Sequence, residues 1–195
     1  IEADPAGEIG SRVSRFLDRT LESHLKLDLS GRIAHFVPAP VRRGPARRLL
    51  AKAIQPIRRL RRRPQLVAKE IGYHAFNLYA FALLRRLIPQ HPLWASAKLR
   101  AAVRFVDRPA YVAGLEENIF GYPYNPPGFE VAFAIQTFGP PRENGRSAAW
   151  WIEQQLQRTY DPVRHMLSRH TVDGPTLAAR LYEATRLDDL EVALV

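Results

Sequence analysis

Cysteine is absent from the 195 residues, which excludes a disulfide framework, a thiolate nucleophile, an iron–sulfur cluster and cysteine-ligated zinc. Long hydrophobic runs are missing too. The longest, Ala75 to Leu84, is interrupted by Asn77 and closed by Arg85 and Arg86; at roughly ten residues it has about half the length of a bilayer crossing. No signal peptide opens the chain, and the sequence reads as a soluble or surface-bound protein. It starts at Ile1 rather than Met, so an initiator, a leader or a larger N-terminal portion is expected to precede it. Glycine-rich phosphate loops, a Gly-x-Ser-x-Gly elbow and kinase signatures are also lacking, which disfavours nucleotide and serine-hydrolase readings. Among six histidines only His165 and His170 are close. Their five-residue separation does not match the four-residue spacing of a helical two-histidine site, so neither a metal nor a cofactor is expected.

Acidic residues are missing from one long interval. Asp28 and Glu70 bracket a stretch that holds twelve of the 29 Lys and Arg and no carboxylate. The net charge of +10 is therefore the property of one cassette, because the remainder of the chain is nearly balanced. Within it, Leu49, Leu50, Ala53, Ile54, Ile57 and Leu60 recur at helical spacing from Ala46 to Arg63, a pattern that predicts an amphipathic cationic helix. Pro56 should kink that helix and Pro64 should end it. Arg58, Arg59, Arg61, Arg62 and Arg63 form a candidate anion-binding face, since guanidinium groups grip phosphate in a two-pronged manner. An anionic membrane suits it better than nucleic acid, because no aromatic residue lies between Phe36 and Tyr73 to stack on bases. The competing reading is a solvated face, or one paired with a missing segment or with another copy in a homo-oligomer.

With 46% apolar and 25% charged residues, the chain can bury a real core. We divide it into residues 1–64, carrying an N-terminal helix, a short hairpin and the basic helix, and residues 65–195, a domain of helical hairpins. Helical periodicity runs through Glu8–His24, Gln65–Ile88 and Pro92–Asp107, then through Gly128–Phe138, Arg146–Tyr160 and Pro175–Leu187. Leu25 to Val37 is the one peripheral β-hairpin candidate. The short link Pro89–His91 predicts that its two flanking helices pack antiparallel. The fold class is all-α.

The segments Tyr73–Tyr79, Gly121–Glu130 and Thr176–Tyr182 give the region from Glu70 to Arg186 a pattern that resembles α/α-toroid proteins. That resemblance implies inner helices around a cleft and an enzyme acting on a carbohydrate or another hydroxylated or isoprenoid substrate, with lyase, hydrolase or isomerase chemistry.

Two groups of residues supply candidate chemistry. The loop from Gly114 to Glu130 places Tyr122, Tyr124 and Asn125 among prolines that lower the entropy lost on ordering. Tyrosine rings can stack on a sugar while hydroxyl and amide groups bond it. On the helix before it, Tyr73, His74 and Asn77 interrupt an apolar run and need partners or a cavity. The expected site therefore has His74 as proton-transfer group, Glu116 or Glu130 as acidic counterpart, and Tyr73, Asn77, Tyr122, Tyr124 and Asn125 as substrate-binding residues, with a small molecule or saccharide as partner. Glu130, in the first turn of a helix, is expected to be held ionised by the helix dipole. The alternative function is a non-enzymatic cationic module that binds an anionic membrane or nucleic acid.

Overall fold

The computed structural model describes residues 7–34, 64–143 and 145–193. The proline-rich linker, the basic helix and the anion-binding set Arg58, Arg59, Arg61, Arg62 and Arg63 lie outside the described residues. Among the described residues the protein is all-α with one short antiparallel two-stranded sheet. Its helices are α1 (Glu8–Arg19), α2 (64–72), α3 (His74–Leu87), α4 (Ala97–Phe105), α5 (Pro109–Leu115), α6 (Pro127–Phe138), α7 (Ala148–Thr159) and α8 (Gly174–Ala179), and a 3₁₀ segment, Arg180–Arg186, continues α8.

Helix starts follow local chemistry. Ser96 caps α4 by accepting from the Leu99 amide, Ser147 caps α7 through Trp150, and Asp173 caps α8 through Thr176. Each side-chain oxygen satisfies one amide that has no partner inside its helix. Proline occupies the first turn of α5, α6 and α8, where its missing N–H costs nothing and its fixed φ suits the helix. Gly139, with φ 88°, stops α6 in a conformation that a residue with a Cβ adopts at a penalty.

Helix α6 is the axis of the molecule. Every residue from Pro127 to Ile135 is buried, and α3 and α7 are its main neighbours. The approach of α7 needs Gly128, because a Cβ there would lie 2.4 Å from both Gln155 Cβ and the Trp151 carbonyl oxygen. Leu17, Leu25 and Ile33 join the same core as Leu78, Leu99, Tyr111, Phe129 and Trp151.

Two expectations change. The short Pro89–His91 link predicted antiparallel packing of its two flanking helices, but α3 packs most extensively on α6, since a short loop limits distance without deciding which apolar face is covered. The β-hairpin also moves. Residues 25–34 retain only an isolated bridge, Leu27 to Ile33, whereas the strands are Tyr160–Asp161 and Met166–Leu167, with Tyr160 opposite Leu167.

Candidate functional site

Glu130 sits in the first turn of α6 and is fully buried. Its neighbours Phe129, Val131, Ala132 and Phe133 are buried as well, so water is excluded and a charge there needs a partner from elsewhere. Arg180 provides it. One guanidinium nitrogen of Arg180 donates to Glu130 Oε1 and lies 2.8 Å from Glu183 Oε1, so two buried carboxyls share one cation. Oε2 of each carboxyl has no hydrogen-bond partner among the described residues. The Glu183 side chain is 2% exposed.

Charge counting then fixes the protonation. Burial pushes Glu130 up to about 8 and Glu183 to about 7, with Arg180 opposing both shifts. The expected effect of the helix dipole is reversed. A dipole contributes about 0.3–1 kcal/mol near a helix end, whereas full burial of a carboxylate shifts its equilibrium by several times as much. Near neutral pH the pair holds a proton that the unfolded chain would release.

Such a proton makes folding depend on pH. The stabilising contribution is complete below the ordinary glutamate value of 4.5 and is lost as pH rises through the folded values near 7 and 8. Stability should therefore decline between pH 5 and 8 by about 1.4 kcal/mol per pH unit for each extra proton retained. Urea unfolding across that range checks this, and Glu130→Gln, which mimics the protonated form, should flatten the profile. A profile in the variant as steep as in the parent would exclude Glu130 as the source.

Around the cluster runs a strip of aromatic and cationic side chains. Arg180 stacks over Phe76 at 5.0 Å, and the Tyr73 ring lies 6.2 Å from Phe76 and 6.3 Å from Tyr124. Tyr73 and Tyr124 share a side-chain hydrogen bond, and burial is the main cause that raises the Tyr73 hydroxyl above its usual range. Farther along, Arg186 donates to the Tyr79 hydroxyl at 2.6 Å and covers the Tyr182 ring at 4.9 Å. Phe76 and Tyr182 are its exposed aromatic members.

The remaining expected residues are dispersed. His74 is fully buried; its Nδ1 accepts from the Ile33 amide at 3.2 Å and its Nε2 lies 2.9 Å from the Ala102 carbonyl. An amide only donates and a carbonyl only accepts, so the ring is the neutral Nε2–H tautomer with both nitrogens engaged. Phe105 and Tyr111 pack against it edge-on. The expected proton-transfer role is corrected to a structural one, because neither nitrogen is left for a ligand. Glu116 is at the surface, in a two-pronged pair with Arg158 at 2.6 and 3.3 Å, and so does not share an environment with His74 or Glu130.

The loop tells the same story. The Asn125 amide donates to the carbonyls of Gly72 and Phe120, and Asn118 donates to those of Ala68 and Gly114. These two asparagines pin residues 116–126 onto α2, where the missing Cβ of Gly72 lets the Phe120 backbone come close. Tyr122 is 3% exposed beneath Arg158, and Asn77 bonds back to the Tyr73 carbonyl. Tyr122 and Asn125 are thus committed to packing, while Tyr73 and Tyr124 stay partly accessible. Sequence reasoning missed Arg180 and Glu183 as site residues. The available signal was Glu130 itself, one carboxylate in an otherwise apolar stretch, which requires a cation from a distant segment.

Among the described residues no group of three His, Asp or Glu could hold a metal ion, and no helix is long and apolar enough to cross a membrane. No family model and no solved structure matches the chain. It is similar to archaeal glycosylation protein Q of Haloferax volcanii, at 38% identity over 200 aligned residues that cover 96% of this chain and 52% of the relative. The chain thus spans about half the length of the curated relative it matches. A glycosylation protein as relative overturns the expectation of an α/α-toroid-like carbohydrate-processing enzyme.

Proposed function

We propose that this chain acts in glycosylation and that its partner is a saccharide. The carrying observation is the 38% identity, sustained over nearly the whole chain, to a protein named for glycosylation. The strip formed by Tyr73, Phe76, Tyr124 and Arg180 suits that partner. Aromatic faces pack on the C–H faces of a sugar ring, and polar groups at their edges select its hydroxyls.

Complementation tests this directly. Supplying the gene that encodes this chain to a Haloferax volcanii strain lacking glycosylation protein Q should restore the mass of the glycans on the host's glycoproteins, read by mass spectrometry. Glycans that stay altered while the protein accumulates in folded form would overturn the proposal.

A further inference from the structure

A second feature lies away from the Glu130 cluster. A cavity of about 150 Å³ opens where α3, α4 and the end of α6 meet, and its lining includes Arg85, Arg100, Arg104, Trp94 and Phe138. Arg100 and Arg104 are one turn apart on α4, so they project from the same face. Arg85 faces the same space from α3, its guanidinium 5.2 Å from the Phe138 ring. All three lack a carboxylate within 4.0 Å among the described residues, and no acidic side chain lines the cavity.

We propose that this cavity binds the phosphate of a phosphorylated saccharide. Three guanidiniums around one recess exceed the charge of a single carboxylate and match a phosphate, whose oxygens each accept forked N–H donors. The opposite wall suits a ring. Trp94 and Phe138 lie 6.2 Å apart, Pro140 and Pro141 stiffen the rim, and the Trp94 N–H is already donated to the Ile88 carbonyl, so the wall offers an apolar surface. The volume is below the 300 Å³ or so of a pocket for a larger ligand, which fits a phosphoryl group with part of the adjoining ring. The phosphate half rests on the arginines alone; the saccharide half rests on the glycosylation reading.

Calorimetric titration of the full chain separates these halves, with inorganic phosphate, glucose 1-phosphate and glucose as probes. Both phosphate-bearing probes should bind, glucose alone should not, and glucose 1-phosphate should bind more tightly than inorganic phosphate. Added salt should weaken binding. In the Arg100→Gln/Arg104→Gln double variant, affinity should fall by about tenfold or more, since two charge-assisted contacts to the phosphate are lost. Both side chains are exposed, so the variant's melting temperature serves as the folding control. Pelleting with vesicles of phosphatidic acid in phosphatidylcholine distinguishes a lipid-borne phosphate from a free one. Unchanged phosphate affinity in the variant, or no phosphate binding by the parent, would overturn the site. Arginine-dependent binding with no gain from the sugar would overturn only the saccharide half, and complementation remains an independent test of the glycosylation reading.

Discussion

Replacing Arg180 with Met should cost about 3–5 kcal/mol of stability at pH 8, because removing one partner from a buried ion cluster leaves uncompensated charge. The guanidinium is the only basic group within ion-pair distance of both Glu130 and Glu183 among the described residues. Lowering the pH should reduce the penalty. At pH 5 the two carboxyls, with folded values near 8 and 7, carry protons and present little charge for Arg180 to neutralise. Urea unfolding at both pH values reads the difference. A loss of equal size at the two values would mean that Arg180 contributes through its packing on Phe76 and not through charge. Adding Glu130→Gln to the Arg180 variant should recover part of the loss at pH 8, since the two sites are coupled through direct contact. Several kcal/mol is a large share of the 5–15 kcal/mol typical of a folded domain.

His74→Leu is the second substitution with a large expected effect. It keeps an apolar side chain of similar size, yet orphans the Ile33 amide and the Ala102 carbonyl, which His74 holds at 3.2 and 2.9 Å. Each unsatisfied buried group costs about 1–3 kcal/mol, so a total of about 2–6 kcal/mol is expected. The loss has a location as well as a size. Residues 25–34 are tied to the helices in part through this ring, and the Ile33 amide should lose protection in hydrogen exchange well before the amides of α6 do. If the leucine variant unfolded at the same urea concentration as the parent with the Ile33 amide still protected, the ring would have no such structural role.

Helix positions were largely legible because their determinants are local. Ser147 and Asp173 sit immediately before the helices they cap, and Pro127 and Gly139 bound α6 to within a residue of where periodicity alone would set its ends, whereas the run read as one helix from Pro92 to Asp107 is divided at Ser96 and α5 was not foreseen. The same local reading failed for the site. His74 looked like a proton-transfer group because its neighbours in sequence are apolar, but its partners are backbone groups 41 and 28 residues away. Asn125 and Tyr122 looked like ligand contacts because loops rich in tyrosine and asparagine commonly bind ligands; here the asparagine amide spends its donors on the carbonyls of Gly72 and Phe120.

By itself the sequence determined that the fold is all-α, where most of the helices lie, and that no thiol chemistry is available, since caps, periodicity and composition act over a few residues. Only the tertiary structure decided that α3 lies on α6, that Glu130 meets Arg180 from 50 residues away, and that three arginines from two helices surround one cavity. Those outcomes depend on which apolar faces cover one another, and long-range pairing of that kind leaves no periodic trace along the chain.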